Sequence, residues 1–205
     1  PKRAVWVIAL PMMAGFFVHA LYAIVDAAFI GKLGPEALAA STFIIAFFFA
    51  AIAFQNGLTT GITATVAQAV GRQDYEDVDH VASNGLTIAL ISGISFAIFG
   101  LIFGQEIISL LGAEGETAVL AWAYLIPICF SMPLFFISTA FRAVLTGEGD
   151  AKTPMIILTI STLSNAALDP IFIFALDMGI QGAAYATFFA SIISLIAFVY
   201  VSLIR

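Results

Sequence analysis

The chain reads as six long apolar stretches separated by short polar runs. The stretches cover about 4–30, 37–68, 81–104, 117–146, 154–176 and 179–203. Each is long enough for the roughly 20 residues with which a helix crosses the hydrocarbon core of a bilayer. Strand-like alternation is absent, so helices are the only spanning solution left. The pattern predicts an all-α membrane protein, a six-transmembrane-helix bundle formed as one unit over 1–205. Gly31 and Gly34 with Pro35 close the first helix and open the second, and Pro154 opens the fifth. Asp79 and Ser83 are the best caps for the third. The polar run 104–116 is expected to carry a short interfacial helix at Glu106–Leu111.

Composition narrows the class further. Hydrophobic residues make up 62% of the chain and charged residues 10%, against roughly 25% charged in a soluble domain. Much of the net charge of −6 comes from Asp74, Glu76, Asp77 and Asp79, which read as a solvated loop. No basic stripe points to nucleic acid; membrane lipid is the expected surroundings. The first stretch is too long for a cleavable signal peptide and contains Pro11 and Asp26. The single cysteine, Cys129, excludes disulfides and cysteine metal sites within the chain. There is no His/Glu metal motif, serine elbow or phosphate-cradling loop, so neither an enzyme nor a cofactor is expected.

Charge placement sets an orientation. Lys2, Arg3, Arg72, Arg142, Lys152 and Arg205 fall on the side of both termini, and only Lys32 lies opposite. The positive-inside rule then places both termini in the cytoplasm of a cell membrane. Arg142, within a span, is expected to snorkel or to pair with Glu148 or Asp150.

The candidate chemistry is two aspartates inside spans, Asp26 and Asp169. An ionisable side chain there is costly by a few kcal/mol or more and marks a functional site by default. Each is followed by Phe-Ile (Phe29-Ile30, Phe172-Ile173) and preceded by Pro-Met (Pro11-Met12, Pro154-Met155), a faint repeat at a shift of 143 residues. At 1.5 Å per residue, Asp26 lies about 6 Å, and Asp169 and Thr187 each about 10 Å, below the outer ends of their helices. Asn165 precedes Asp169 by one turn on the same face. Asp26, Asn165, Asp169 and Thr187 thus form a candidate oxygen-rich cluster. Sodium would use carboxylate, amide and hydroxyl oxygens, and a proton only the carboxylates.

Blander readings stand beside these. Asp26 can snorkel to the surface near Lys32. Asp169-Pro170 is also a favoured helix start, with Asp as N-cap, a reading in which the fifth span breaks there. Pro170 deprives the Ala166 carbonyl of its usual donor. Gln55, Thr59 and Thr63 make one polar stripe, which suits helix–helix hydrogen bonding and a substrate passage equally. His19 reads as hydrogen-bonded inside the bundle rather than as a ligand.

The segments VDAAFIGKLGPEALAA, GLTTGITATVAQAVGRQD, FRAVLTGEGDAKTP, SNAALDPIFIF and MGIQGAAYAT, in this order over nearly the whole chain, resemble the N-terminal lobe of the multidrug and toxic compound extrusion (MATE) family, in its DinF-like prokaryotic branch. The resemblance implies one lobe of a twelve-helix fold. It also implies an antiporter that exports organic cations or amphipathic drugs by alternating access as H⁺ or Na⁺ enters. By position, Asp26, Asn165, Asp169 and Thr187 match the family's ion site, which would bind Na⁺ if coupling is to sodium. Tyr22, Tyr124 and Thr162 match nearby cavity positions, with Gln55 and Thr59 as further cavity candidates. Pro11 matches a first-helix proline thought to permit bending, and Pro170 is a second conformational candidate. A C-terminal lobe, in the same or a second chain, is the implied partner, and the chain reads as an N-lobe rather than a natural half-transporter. The rival readings are a flippase of lipid-linked precursors from the same superfamily and a channel or assembly subunit.

Overall fold

A computed structural model describes residue 17 and residues 24–204. Pro11, His19 and Tyr22 lie outside the described residues. The helix at 24–31, α1, is followed by α2 (Pro35–Gly71), α3 (Tyr75–Leu110), α4 (Gly115–Gly147), α5 (Lys152–Pro170) and α6 (Gly179–Ile204). A π-helical turn, Ile171–Ala175, extends α5. Five helices among the described residues are long and apolar enough to cross a membrane. At 1.5 Å per residue α2, α3 and α4 are about 50–55 Å long, well beyond a hydrocarbon core of ~30 Å. Their ends therefore stand in the headgroup region or beyond it.

The turns are tight. Gly34, at φ 120°, reverses the chain just before Pro35 opens α2, a backbone region that favours glycine. The acidic run is not a loop. The cap of α3 is Asp74, whose side chain accepts from the Asp77 backbone N–H at 3.1 Å, and not Asp79 or Ser83. Glu76 and Asp77 lie in the first turn, where negative charge suits the helix dipole. Arg72 closes the corner on Asp77 at 2.5 Å. At its other end α3 runs on to Leu110, so the separate helix expected at Glu106–Leu111 is its last turns. Asp150 accepts from the backbone N–H groups of Lys152 and Thr153 at 3.0 and 2.9 Å and so starts α5.

Packing rests on small residues. Gly85, Ala89, Gly93, Ala97, Gly100 and Gly104 form a buried seam along α3, the pattern that lets helix backbones approach closely in lipid. A methyl on Gly93 would lie 2.7 Å from the Pro133 Cα of α4. The opposite face of α3 carries exposed Ile91, Ile98 and Ile102, as a lipid-facing surface should. Phe136, Leu125, Ile128 and Met132 of α4 fill the centre, buried between α2 and α3.

α5 does not break at Asp169-Pro170. Asp169 is inside the helix and is not an N-cap. The backbone passes Pro170 by widening into the π-helical turn, where the Leu176 N–H donates to the Ile171 carbonyl at 2.9 Å. A missing proline donor is accommodated by this wider winding. The turn lies against α6 at Gly182, where a Cβ would meet the Phe172 carbonyl at 2.6 Å.

Candidate functional site: a carboxylate cluster and an aromatic-lined cavity

Thr162, Asn165 and Asp169 follow one another at three- and four-residue spacing and are all buried, Asp169 completely at 0% exposure. That face of α5 turns toward α6 rather than lipid. The Asn165 Nδ2 donates to the Thr187 Oγ1 at 3.2 Å, and the Thr187 hydroxyl donates to the Ala183 carbonyl at 3.1 Å. Asp26, half-buried on α1, is near enough to act electrostatically on Asp169, and both carboxylates act on the Tyr124 hydroxyl of α4. Phe29 and Phe174 meet edge to face at 6.0 Å and pin the α1 segment to the π-helical turn. Lys32 lies over the Phe29 ring, 5.5 Å from its centroid. Asp26, Asn165, Asp169 and Thr187 thus gather on α1, α5 and α6, with Tyr124 beside the carboxylates.

No three His, Cys, Asp or Glu side chains converge among the described residues. An ion bound here would meet two carboxylates, one amide and one hydroxyl. Such an all-oxygen set suits a hard monovalent cation or a proton better than a transition metal.

A second feature adjoins the cluster. A cavity of about 650 Å³ opens between α2, α4, α5 and α6, toward the end of the bundle that carries the α4–α5 turn. Its walls include Phe48, Phe49, Gln55, Phe135, Ser138 and Arg142. Gln55 donates through Nε2 to the Phe136 carbonyl at 3.0 Å and also to Thr139. Thr63 donates to the Ala143 carbonyl at 3.0 Å, and Thr59 to the Gln55 carbonyl of its own helix at 2.9 Å. Helix–helix bonding therefore accounts for Thr63, while Gln55 serves both an interhelical bond and the cavity wall. Thr59, Tyr124 and Thr162 lie outside the lining.

Arg142 faces this cavity and, among the described residues, makes no ion pair with Glu148, Asp150 or any other acid. It shares a face of α4 with Phe135, Ser138 and Thr139.

Long apolar helices joined by tight turns, enclosing a buried acid and a largely apolar cavity, define a multi-pass helical membrane protein. The MatE family profile matches residues 11–171, and the chain belongs to that family. It is 30% identical over 200 residues to the probable multidrug resistance protein YoeA of Bacillus subtilis, covering 93% of this chain and 43% of YoeA. It is 28% identical to an FAD transporter of Shewanella oneidensis, covering 91% of this chain and 42% of the transporter. The solved structure of a transporter of the MOP superfamily from Pyrococcus furiosus superposes with a TM-score of 0.92 at 34% identity, covering 98% of this chain and 44% of that one. The chain thus spans less than half the length of these relatives, and its bundle corresponds to one lobe of the transporter fold.

Proposed function

We propose that this bundle is the ion-coupling N-terminal lobe of a cation-coupled antiporter in the cell membrane, a carrier and not an enzyme, which exports amphipathic small molecules by alternating access. The observation that carries the reading is the complete burial of Asp169 within reach of Asp26 and beside the Asn165–Thr187 pair. Two carboxylates in one low-dielectric site cannot both ionise cheaply. A proton or Na⁺ arriving from outside neutralises the cluster. With that repulsion gone, the first helix repacks against α5 and α6, with Pro11 of the first helix and Pro170 of α5 as the points of flexure. Cargo binding weakens and release is outward. A second lobe, in the same or another chain, completes the cargo site and rocks to reset it, as expected for sites placed at repeat interfaces. The ion drives the change only because it binds the two packings differently. With the termini cytoplasmic, as the Lys and Arg placement favours, the carboxylates sit in the outer half of the membrane.

Of the two expected cargo classes, amphipathic compounds fit this lobe better than organic cations, because the one charged side chain among the described cavity walls is Arg142. The relatives span a multidrug resistance protein and a carrier of FAD, an anion. The Pyrococcus transporter is described by a reverse polarity of its binding pocket that suggests a different function. A flippase of pyrophosphate-linked lipids would need several cations in the spans, and one is on hand. A channel would pass steady current without a driving counter-ion gradient.

The test is cargo movement in proteoliposomes under an imposed pH or Na⁺ gradient. Gradient-driven, saturable transport is expected from the wild type and not from Asp26→Asn or Asp169→Asn. Unchanged transport and ion dependence in both variants would falsify the coupling role.

A further inference from the structure

Three polar groups in the cavity wall have capacity that the described protein leaves unused. Arg142 carries a rigid fork of guanidinium donors that makes no hydrogen bond or ion pair among the described residues; the Thr146 hydroxyl engages only its backbone carbonyl. Ser138, one turn earlier on α4 and only 6% exposed, has a hydroxyl with no partner there. Its neighbours Ser131 and Thr139 instead donate to carbonyls of their own helix. Gln55, 2% exposed, spends its Nε2 on Phe136 and Thr139 and leaves its Oε1 without a partner. Buried polar groups of this kind are costly unless something satisfies them, and a cation within a span is costlier still.

The surroundings decide what that something is. No acidic side chain lines the cavity among the described residues. The acid of α5, Asp169, is eight residues beyond the lining residue Ser161, about 12 Å along the helix. The aromatic rings of Phe48, Phe49 and Phe135 form the apolar part of the wall. We propose that this cavity is a subsite for amphipathic organic anions: Arg142 and Ser138 donate to the acid group, Gln55 Oε1 accepts from a donor on the ligand, and Phe48, Phe49 and Phe135 hold its flat apolar body. Carboxylate, sulfonate and phosphate share this chemistry, whether they belong to a soluble aromatic acid or to a lipid headgroup. The subsite deepens the antiport reading by naming the cargo class of the lobe, and in that respect it rests on it.

The test is equilibrium binding to the full-length transporter in phosphatidylcholine nanodiscs. The probes are the aromatic sulfonate 8-anilinonaphthalene-1-sulfonate and the flat aromatic cation ethidium. Arg142→Gln is expected to weaken sulfonate binding at least tenfold and Arg142→Lys by less, with Ser138→Ala, the variant least able to disturb folding, weakening it two- to threefold. Ethidium binding should not change in any of them. Adding phosphatidylglycerol separates the sources: competition assigns the subsite to a lipid phosphate, no competition to soluble acids, and either supports the anion chemistry. Wild-type sulfonate affinity in both Arg142→Gln and Ser138→Ala overturns the proposal, as does an equal loss of both dyes. Loss of the subsite with gradient-driven transport intact overturns this inference alone. Sulfonate binding without gradient-driven transport overturns the antiport reading alone.

Discussion

Thr187 and Ser191 stand one turn apart on α6 and join the two polar features of the lobe. The Thr187 hydroxyl receives the Asn165 amide at 3.2 Å on the carboxylate side. Its carbonyl receives the Ser191 hydroxyl at 2.8 Å, and Ser191 lines the cavity. A change in the carboxylate cluster that moves this turn therefore moves a wall of the cavity. Ser191→Ala should leave the fold intact and shift the ion concentration that half-saturates transport by two- to threefold, with cargo affinity unaltered in the absence of the ion. Transport titrated against the ion, paired with equilibrium cargo binding, checks this.

The Asn165–Thr187 pair also separates the candidate ions. Sodium needs the amide and hydroxyl oxygens as ligands, while a proton needs only a carboxylate. Asn165→Ala should raise the half-saturating Na⁺ concentration tenfold or more where sodium drives transport. It should change proton-driven transport by less than threefold. Flux measured under each gradient in turn distinguishes the two.

Gly182 predicts a packing effect. An added methyl would meet the Phe172 carbonyl at 2.6 Å, so Gly182→Ala forces the π-helical turn off α6. Overpacking of this kind costs about 1–3 kcal/mol, and thermal unfolding in detergent should fall by several degrees. Gly57→Ala is the control, because nothing lies within 4 Å of its Cβ position; it should be neutral or slightly stabilising.

Gln55→Leu removes the donor to the Phe136 carbonyl. Interhelical hydrogen bonds in membrane proteins average about 0.6 kcal/mol by double-mutant cycles, so the stability loss should be near or below about 1 kcal/mol. A loss well above that in thermal or denaturant unfolding would show Gln55 to be a principal clamp between α2 and α4.

The juxtaposition of Asn165 and Thr187 was legible before any coordinates. Depth and face are one-dimensional quantities, fixed by 1.5 Å and 100° per residue once the spans and their directions are known. The start of α3 was misread because four acids in six residues look solvated. The same acids, behind Asp74, are also a capped and dipole-matched first turn. The fate of Pro170 was not legible, since whether a helix breaks or widens at a proline depends on what packs beside it, here the bare backbone at Gly182. Nor did the sequence reveal that Arg142 points inward. Its position near a span end allows snorkelling, and only the arrangement of α2, α5 and α6 around α4 makes the inward face a cavity.

The π-helical turn can be viewed as an insertion. A π turn accommodates one residue more than the regular helix it replaces, and it occurs often at functional sites. Deleting one residue within Ile171–Ala175 should restore regular winding. Asn165 and Asp169 both precede the turn and would keep their common face; what would change is how that face as a whole is seated against Thr187 of α6. The surplus residue thus governs the fit between the carboxylate face and its neighbour, not the make-up of the face.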